Sequence, residues 1–285
     1  MSTTKLSIAL AIGLFSATAL AGKGSSSAAI QQAVQSGSVD SIVAELERAE
    51  HLPSNGAIDV VLPLVDHDSW RVRDAAGWWL ARRGVRTEVI AKMTARLTAS
   101  DPVAARNAGD VLAAMRDYTT VPALQAYLQR PLDEDSGVAA ARAIGTIGHP
   151  TGITGLEGAL GSPLAKGRAP AAVSLRSLRA VRGTQVAART TALLPLLGDA
   201  DVDVRRQAAT TLGFVAGAGG DTAGAVAALA PVVTSDANPA VRKAAAWALG
   251  QLRDGSARAA LTQARSNDAD PLVRSIANAA LANLR

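Results

Sequence analysis

Imidazole and thiol chemistry is scarce in this chain. There are three histidines, His51, His67 and His149, and no cysteine among 285 residues. No histidine stands in an H-x-x-x-H or H-E-x-x-H spacing, which would place two imidazoles on one helix face to hold zinc. Asp66-His67-Asp68 gathers three ligand-type side chains, but such a run at a turn serves as solvated capping of nearby amides. The absence of cysteine excludes a thiol nucleophile, a thiolate zinc site, a disulfide framework and a lipid anchor on cysteine. No G-x-S-x-G, Walker A or G-x-G-x-x-G fingerprint accompanies a strand. "GAGG" at 217–220 is an isolated flexible loop. Carboxylates are plentiful at turns, but none pairs with another across facing surfaces as an acid/base couple. The residues therefore assign no catalytic, cofactor-binding or metal-binding side chain, and the chain reads as a protein that is not an enzyme.

The elements that would position any site follow from composition. The chain is 48% apolar and only 3% aromatic, with alanine and leucine supplying most of the apolar content. That mixture suits close-packed helices better than a β-sandwich. The first residues stand apart. "MSTTKLSIALAIGLFSATALAGKG" has Lys5, an apolar run from Leu6 to Ala17, and Ala19-Leu20-Ala21. This is the pattern of a secretory signal cleaved after Ala21, and the run falls short of the ~20 residues a spanning helix needs. Residues 1–21 are thus read as a signal peptide of bacterial type, the address as periplasmic or secreted, with no membrane span after cleavage. The net charge of +5 is spread along the chain without a Lys/Arg run, so nucleic acid is not an expected partner.

The remaining sequence repeats itself. Taking Val241 of "NPAVRKAAAWALGQL" as an anchor, the equivalent positions are Val72, Ala104, Ser136, Gly167, Val204, Val241 and Val273. Four residues after each anchor stands alanine: Ala76, Ala108, Ala140, Ala171, Ala208, Ala245 and Ala277. Eight after stand Leu80, Leu112, Ile144, Leu175, Leu212, Leu249 and Leu281. Five after, every unit but the last has Gly or Ala. These offsets mark one face of an α-helix. Three before the anchor come Ser69, Asp101, Asp133, Leu164, Asp201, Asn238 and Asp270, of which all but Leu164 are N-cap residues. A second apolar segment precedes each such helix, as at 58–65, 89–97, 121–128, 191–197 and 226–233. Each unit is a pair of antiparallel helices, A then B. Pro63, Pro195 and Pro231 fall within three A helices and should bend them. The segment 217–225 reads as a loop. One helix pair cannot bury its own apolar face, so the pairs must stack. The organisation is an N-terminal helical cap over 22–53 and about seven helix pairs over 54–285, an all-α solenoid.

"DANPAVRKAAAWALGQLRDGSARAAL" resembles the bacterial HEAT-like repeat, the type also named after phycobilisome lyases. The resemblance spans about residues 55–285 and loosens where Ser136-Gly137 and Gly167-Arg168 replace Val-Arg. It implies an α-solenoid whose B helices line a concave surface. Glu50-His51 reverses the His-Glu dipeptides of the diiron hydroxylase in this group, and the several pairs such an enzyme needs are absent.

Two polar patterns accompany the repeat. One residue after the anchor stand Arg73, Arg168, Arg205, Arg242 and Arg274, interrupted by Ala105 and Gly137. Asp199, Asp236 and Asp268 lie six residues before three of these arginines. The two rows read as a structural ladder between neighbouring turns. Offsets +2 and +6 lie roughly opposite the core stripe at about 100° per residue. There the columns do not repeat in kind: +6 carries Trp78, Asp110, Arg142, Val173, Thr210, Trp247 and Ala279, and +2 includes Arg106, Arg206 and Lys243. Trp79 belongs to the core, and Trp70 should cover the corner between helices. Trp and Arg are frequent interface anchors. Trp78, Arg106, Arg142, Arg206, Lys243 and Trp247 are therefore the candidate contacts of a scaffold that binds a protein or peptide along the B helices. The alternative is an accessory factor holding a small ligand or cofactor in the groove.

Overall fold

The computed structural model describes residues 25–52, 55–176 and 185–284. The signal segment read at 1–21 lies outside them. Among the described residues there are sixteen α-helices and no strand. None of the helices is long and apolar enough to cross a membrane.

The helices pair in chain order. α1 (Ser27–Gln35) and α2 (Val39–Arg48) precede the repeats. The A helices are α3 (Ile58–Val61), α5 (Arg86–Arg96), α7 (Val121–Gln129), α9 (Thr151–Ala159), α11 (Gln185–Leu193), α13 (Thr222–Ser235) and α15 (Arg258–Asn267). Their B partners are α4 (Trp70–Leu80), α6 (Pro102–Met115), α8 (Glu134–Ile147), α10 (Ala165–Ser174), α12 (Val202–Val215), α14 (Pro239–Leu252) and α16 (Pro271–Asn283). From α2 onward each B helix packs on the one before and the one after, and A helices such as α7 and α9 pack likewise. The chain is therefore a two-layer solenoid.

The seven N-terminal boundaries of the B helices fall where the cap column places them. Asp101, Asp133, Asp201, Asn238 and Asp270 each accept a hydrogen bond from an amide in the first turn, whereas Ser69 and Leu164 make no such bond. All seven alanines of the +4 column are 0% exposed. At +8 the first six aliphatics are also fully buried, and Leu281 is half-buried because no further B helix among the described residues covers α16. The +5 column is small because the next B helix lies against it. A Cβ on Gly109 would stand 2.9 Å from the Ala139 carbonyl carbon and 3.0 Å from the Ala140 nitrogen. Only a residue without that atom lets α6 and α8 approach so closely.

The A helices depart from the expectation of simple bends. Proline lacks an amide donor and crowds the preceding turn. At Pro63 and Pro195 the helix tightens into 3-10 segments, Leu62–Asp66 and Leu194–Gly198. At Pro231 α13 continues through the proline. The segment 217–225 is also only partly a loop. Gly219 turns the chain at φ 106°, and Asp221 then caps α13 by accepting from the Gly224 amide, so helix begins at Thr222.

Candidate interaction surface on the B helices

The arginine row joins the units as a ladder. Arg168 donates through Nε and Nη2 to both carboxylate oxygens of Asp199 at 2.7 and 2.9 Å. Arg205 holds Asp236 at 2.8 and 3.3 Å, and Arg242 holds Asp268 at 2.7 and 2.9 Å. In each case the third nitrogen, Nη1, donates to a carbonyl of the arginine's own turn: Ser162, Asp199 or Asp236. One guanidinium thus ties its own turn to the turn of the next unit, using the planar fork that only arginine supplies. The bond from Arg242 holds the Asp268 carboxyl below the usual carboxylate range. Each of these aspartates also accepts from the N-cap amide two residues on, at 2.8–2.9 Å. Where the arginine is missing, at Ala105 and Gly137, the next unit's turn has Pro131 and Ser162 in place of aspartate.

Arg73 finds a different partner. The next turn offers Ala99, and the guanidinium instead donates to Asp110 Oδ2 from Nε at 2.9 Å and Nη2 at 2.5 Å. The other oxygen of Asp110 accepts from Arg142. Asp110 is therefore buried, which corrects its assignment to an outward column. The signal that could have found it is the missing acid at position 99 beside a lone acid at +6. His67 fills the aspartate's other role, its Nδ1 accepting from the Ser69 amide at 3.0 Å. His149 stacks on Tyr118 with ring centroids 4.6 Å apart. His51 is exposed, 3.9 Å from the Glu50 carboxylate. Among the described residues no three His, Asp or Glu side chains gather as a metal-holding group.

The six candidate contact residues are all half-buried, and they do not form one cluster. Trp78 lies on α4 with the Arg82 guanidinium 4.1 Å from its ring centre. Arg142, on α8, pairs with Asp110 and stands 5.2 Å over Trp70. Arg106 reaches Asn107 Oδ1 at 3.2 Å, and Arg206 holds Asp203 at 3.0 Å on its own helix. Lys243, on α14, makes no hydrogen bond or ion pair. Trp247, five B helices from Trp78, leans on the Phe214 ring at 4.9 Å and fills the space over Gly213. Trp79 is fully buried, as the core assignment requires, and its Nε1 donates to the Ala49 carbonyl at 3.1 Å. Trp70 corrects the reading that it covers a corner: it is 52% exposed. Together with Trp78 it borders a cleft of about 530 Å³ between α2 and α4. A second cleft of about 590 Å³ lies on the other side of Trp78, against Arg82, Arg86 and Arg116.

Comparison with known proteins bears on the fold. The HEAT-repeat pattern matches residues 90–176 and 190–282. No curated protein sequence matches the chain significantly. Among solved structures, human deoxyhypusine hydroxylase is similar at 22% identity over 90% of this chain and 93% of that one, with a TM-score of 0.39. An engineered protein is similar at 20% identity over 91% and 81%, with a TM-score of 0.46. The CpcE–CpcF complex of phycocyanin lyase from Nostoc is similar at 18% identity over 94% and 97%, with a TM-score of 0.37. The expectation that the chain is not an enzyme is corrected by these neighbours, since a hydroxylase and a lyase stand among them. The repeat columns, the stacked helix pairs and a family match over more than half the residues lead to one assignment: the chain belongs to the HEAT-repeat family.

Proposed function

We propose that this protein is an exported binding module that holds a protein or peptide partner along its helix-B surface. The observation that carries the reading is the contrast between columns. The +4 alanines are identical and fully buried in all seven units, whereas the +2 and +6 positions differ in kind from unit to unit and leave Trp78 and Trp247 half-exposed. A stacked scaffold needs little ordering to bind, so several separated contacts add up without a large entropic cost.

The test is affinity capture from periplasmic extract with the full chain and with Trp78→Ala and Trp247→Ala. A partner held by the native protein and lost by both variants supports the reading. Capture unaffected by either variant overturns it. The two clefts beside Trp78 have volumes typical of small-ligand sites, so a small-molecule thermal shift without any captured protein would favour a ligand in the groove instead. Export is tested by mass: secreted material should begin at Gly22.

A further inference from the structure

Trp70, Asp74 and Trp78 recur every fourth residue along α4 and so share one stripe of that helix. They border the 530 Å³ cleft, with Glu47 and Glu50 of the α2 segment on its other side. The cations around the cleft are nearly all committed. Arg71 pairs with Asp40 at 2.7 Å. Arg82 sits 3.4 Å from Glu50 and donates to the Trp78 carbonyl at 2.7 Å. Arg142 is bound to Asp110. Arg142, and to a smaller extent Arg116, the exposed left-handed cap of α6, act on Asp74 only through space.

The anions are not matched in the same way. Neither Glu47 nor Asp74 makes a hydrogen bond or ion pair, although Asp74 is half-buried between two indoles. Its burial pushes the carboxyl up from the ordinary aspartate value. A carboxylate kept in that position without a partner costs stability. Elsewhere in the molecule the buried aspartates Asp110, Asp199, Asp236 and Asp268 each have an arginine.

We propose that the cleft between α2 and α4 takes a lysine or arginine side chain of the partner, its cation set between Asp74 and Glu47 and its stem against Trp70 and Trp78. Free carboxylates supply the charge, and indole faces favour a cation that has shed water. The proposal rests on the binding-module reading and gives it a chemical specificity: a basic residue in the bound segment.

The test uses the full chain with ¹⁵N-labelled tryptophan, whose four indole N–H signals distinguish the cleft, at Trp70 and Trp78, from the core at Trp79 and from α14 at Trp247. The probes are Nα-acetyl-arginine amide and its uncharged isostere Nα-acetyl-citrulline amide. Arginine should move the Trp70 and Trp78 signals, leave Trp79 and Trp247 still, and bind markedly more tightly than citrulline. Asp74→Asn should weaken arginine binding by about tenfold, the order expected for losing one partly desolvated charge partner. The same variant should melt at the native temperature or above, which distinguishes lost recognition from lost folding. Equal responses to the two probes, or signals unmoved by arginine, overturn the proposal. A partner still captured through Trp247 in that event would leave the wider binding-module reading standing. Arginine binding without any captured partner would do the reverse.

Discussion

Arg242 and Arg274 occupy the same position in successive units but face different surroundings, and that difference isolates what one rung of the ladder contributes. Arg242→Met keeps the apolar stem and removes four hydrogen bonds: two to Asp268 at 2.7 and 2.9 Å, and two to the carbonyls of Asp236 and Ala237 at 2.8 and 3.3 Å. Arg274→Met removes only the own-turn pair, to Asp268 and Ala269 at 2.7 and 3.1 Å. The side chains of Arg242 and Asp268 are 13% and 4% exposed. Without Arg242 the Asp268 carboxylate keeps the Asp270 amide at 2.8 Å but loses the guanidinium bonded to it, with only Arg274 left acting through space. Breaking a buried pair from one side costs about 3–5 kcal/mol, and the residual exposure of Arg242 places this case near 3. Two carbonyl bonds at a wet turn should cost about 1 kcal/mol. The own-turn pair is lost in both variants and cancels, so the expected difference is that of the broken pair, about 3 kcal/mol. Urea unfolding at neutral pH followed by far-ultraviolet circular dichroism reads it. Repeating Arg242→Met in an Asp268→Asn background should recover most of the difference, since the charge left behind is then gone. Equal losses for the two single variants, within about 0.5 kcal/mol, would refute the ladder as a source of stability.

The acid dependence of the same rung follows from its sign. Asp268 has a folded pKa below its unfolded value of about 3.9. Its contribution is therefore complete above that value and fades as pH falls below it through the folded pKa. The stability gap between the native chain and Arg242→Met should close in that window, as measured by melting temperatures from pH 7 downward. Ala245→Phe should cost about 1–3 kcal/mol or more by overfilling a site with no exposed surface. Thr210→Ala, which removes only a bond to the Arg206 carbonyl at 2.9 Å, should stay within about 0.5 kcal/mol; equal denaturation midpoints for the pair would reverse the facing assignment. Gly109→Ala and Gly155→Ala should move in opposite directions. The first forces α6 from α8, whereas at Gly155 a Cβ meets its nearest neighbour at an ordinary 3.5 Å and gains about 0.5–1 kcal/mol of helix propensity.

The sequence by itself determined the unit and its register. An alanine at +4 and an aliphatic residue at +8 are dictated by burial against every neighbour at once, so the same types recur and the helix period shows through. The caps before five of the seven B helices were equally legible, because a side-chain acceptor satisfies an amide that the first turn leaves orphaned. The arginine row could be assigned to the turns, since both members of each rung repeat. Other features depended on contacts between units, which the period does not encode. Asp110 looked like an outward residue until α4 brought Arg73 against it in place of the acid missing at Ala99. Trp70 looked like a cover, yet it stands open beside a cleft that exists only because α2 packs on α4. The candidate contact residues were identifiable by type and offset, but their partners were not: Trp247 rests on Phe214, Arg142 is spent on Asp110, and Asp74 is left alone. Periodicity specifies what one helix must bury. Which polar side chains end up paired is settled by distances between residues 26 to 37 positions apart, and those distances come only from the stacking.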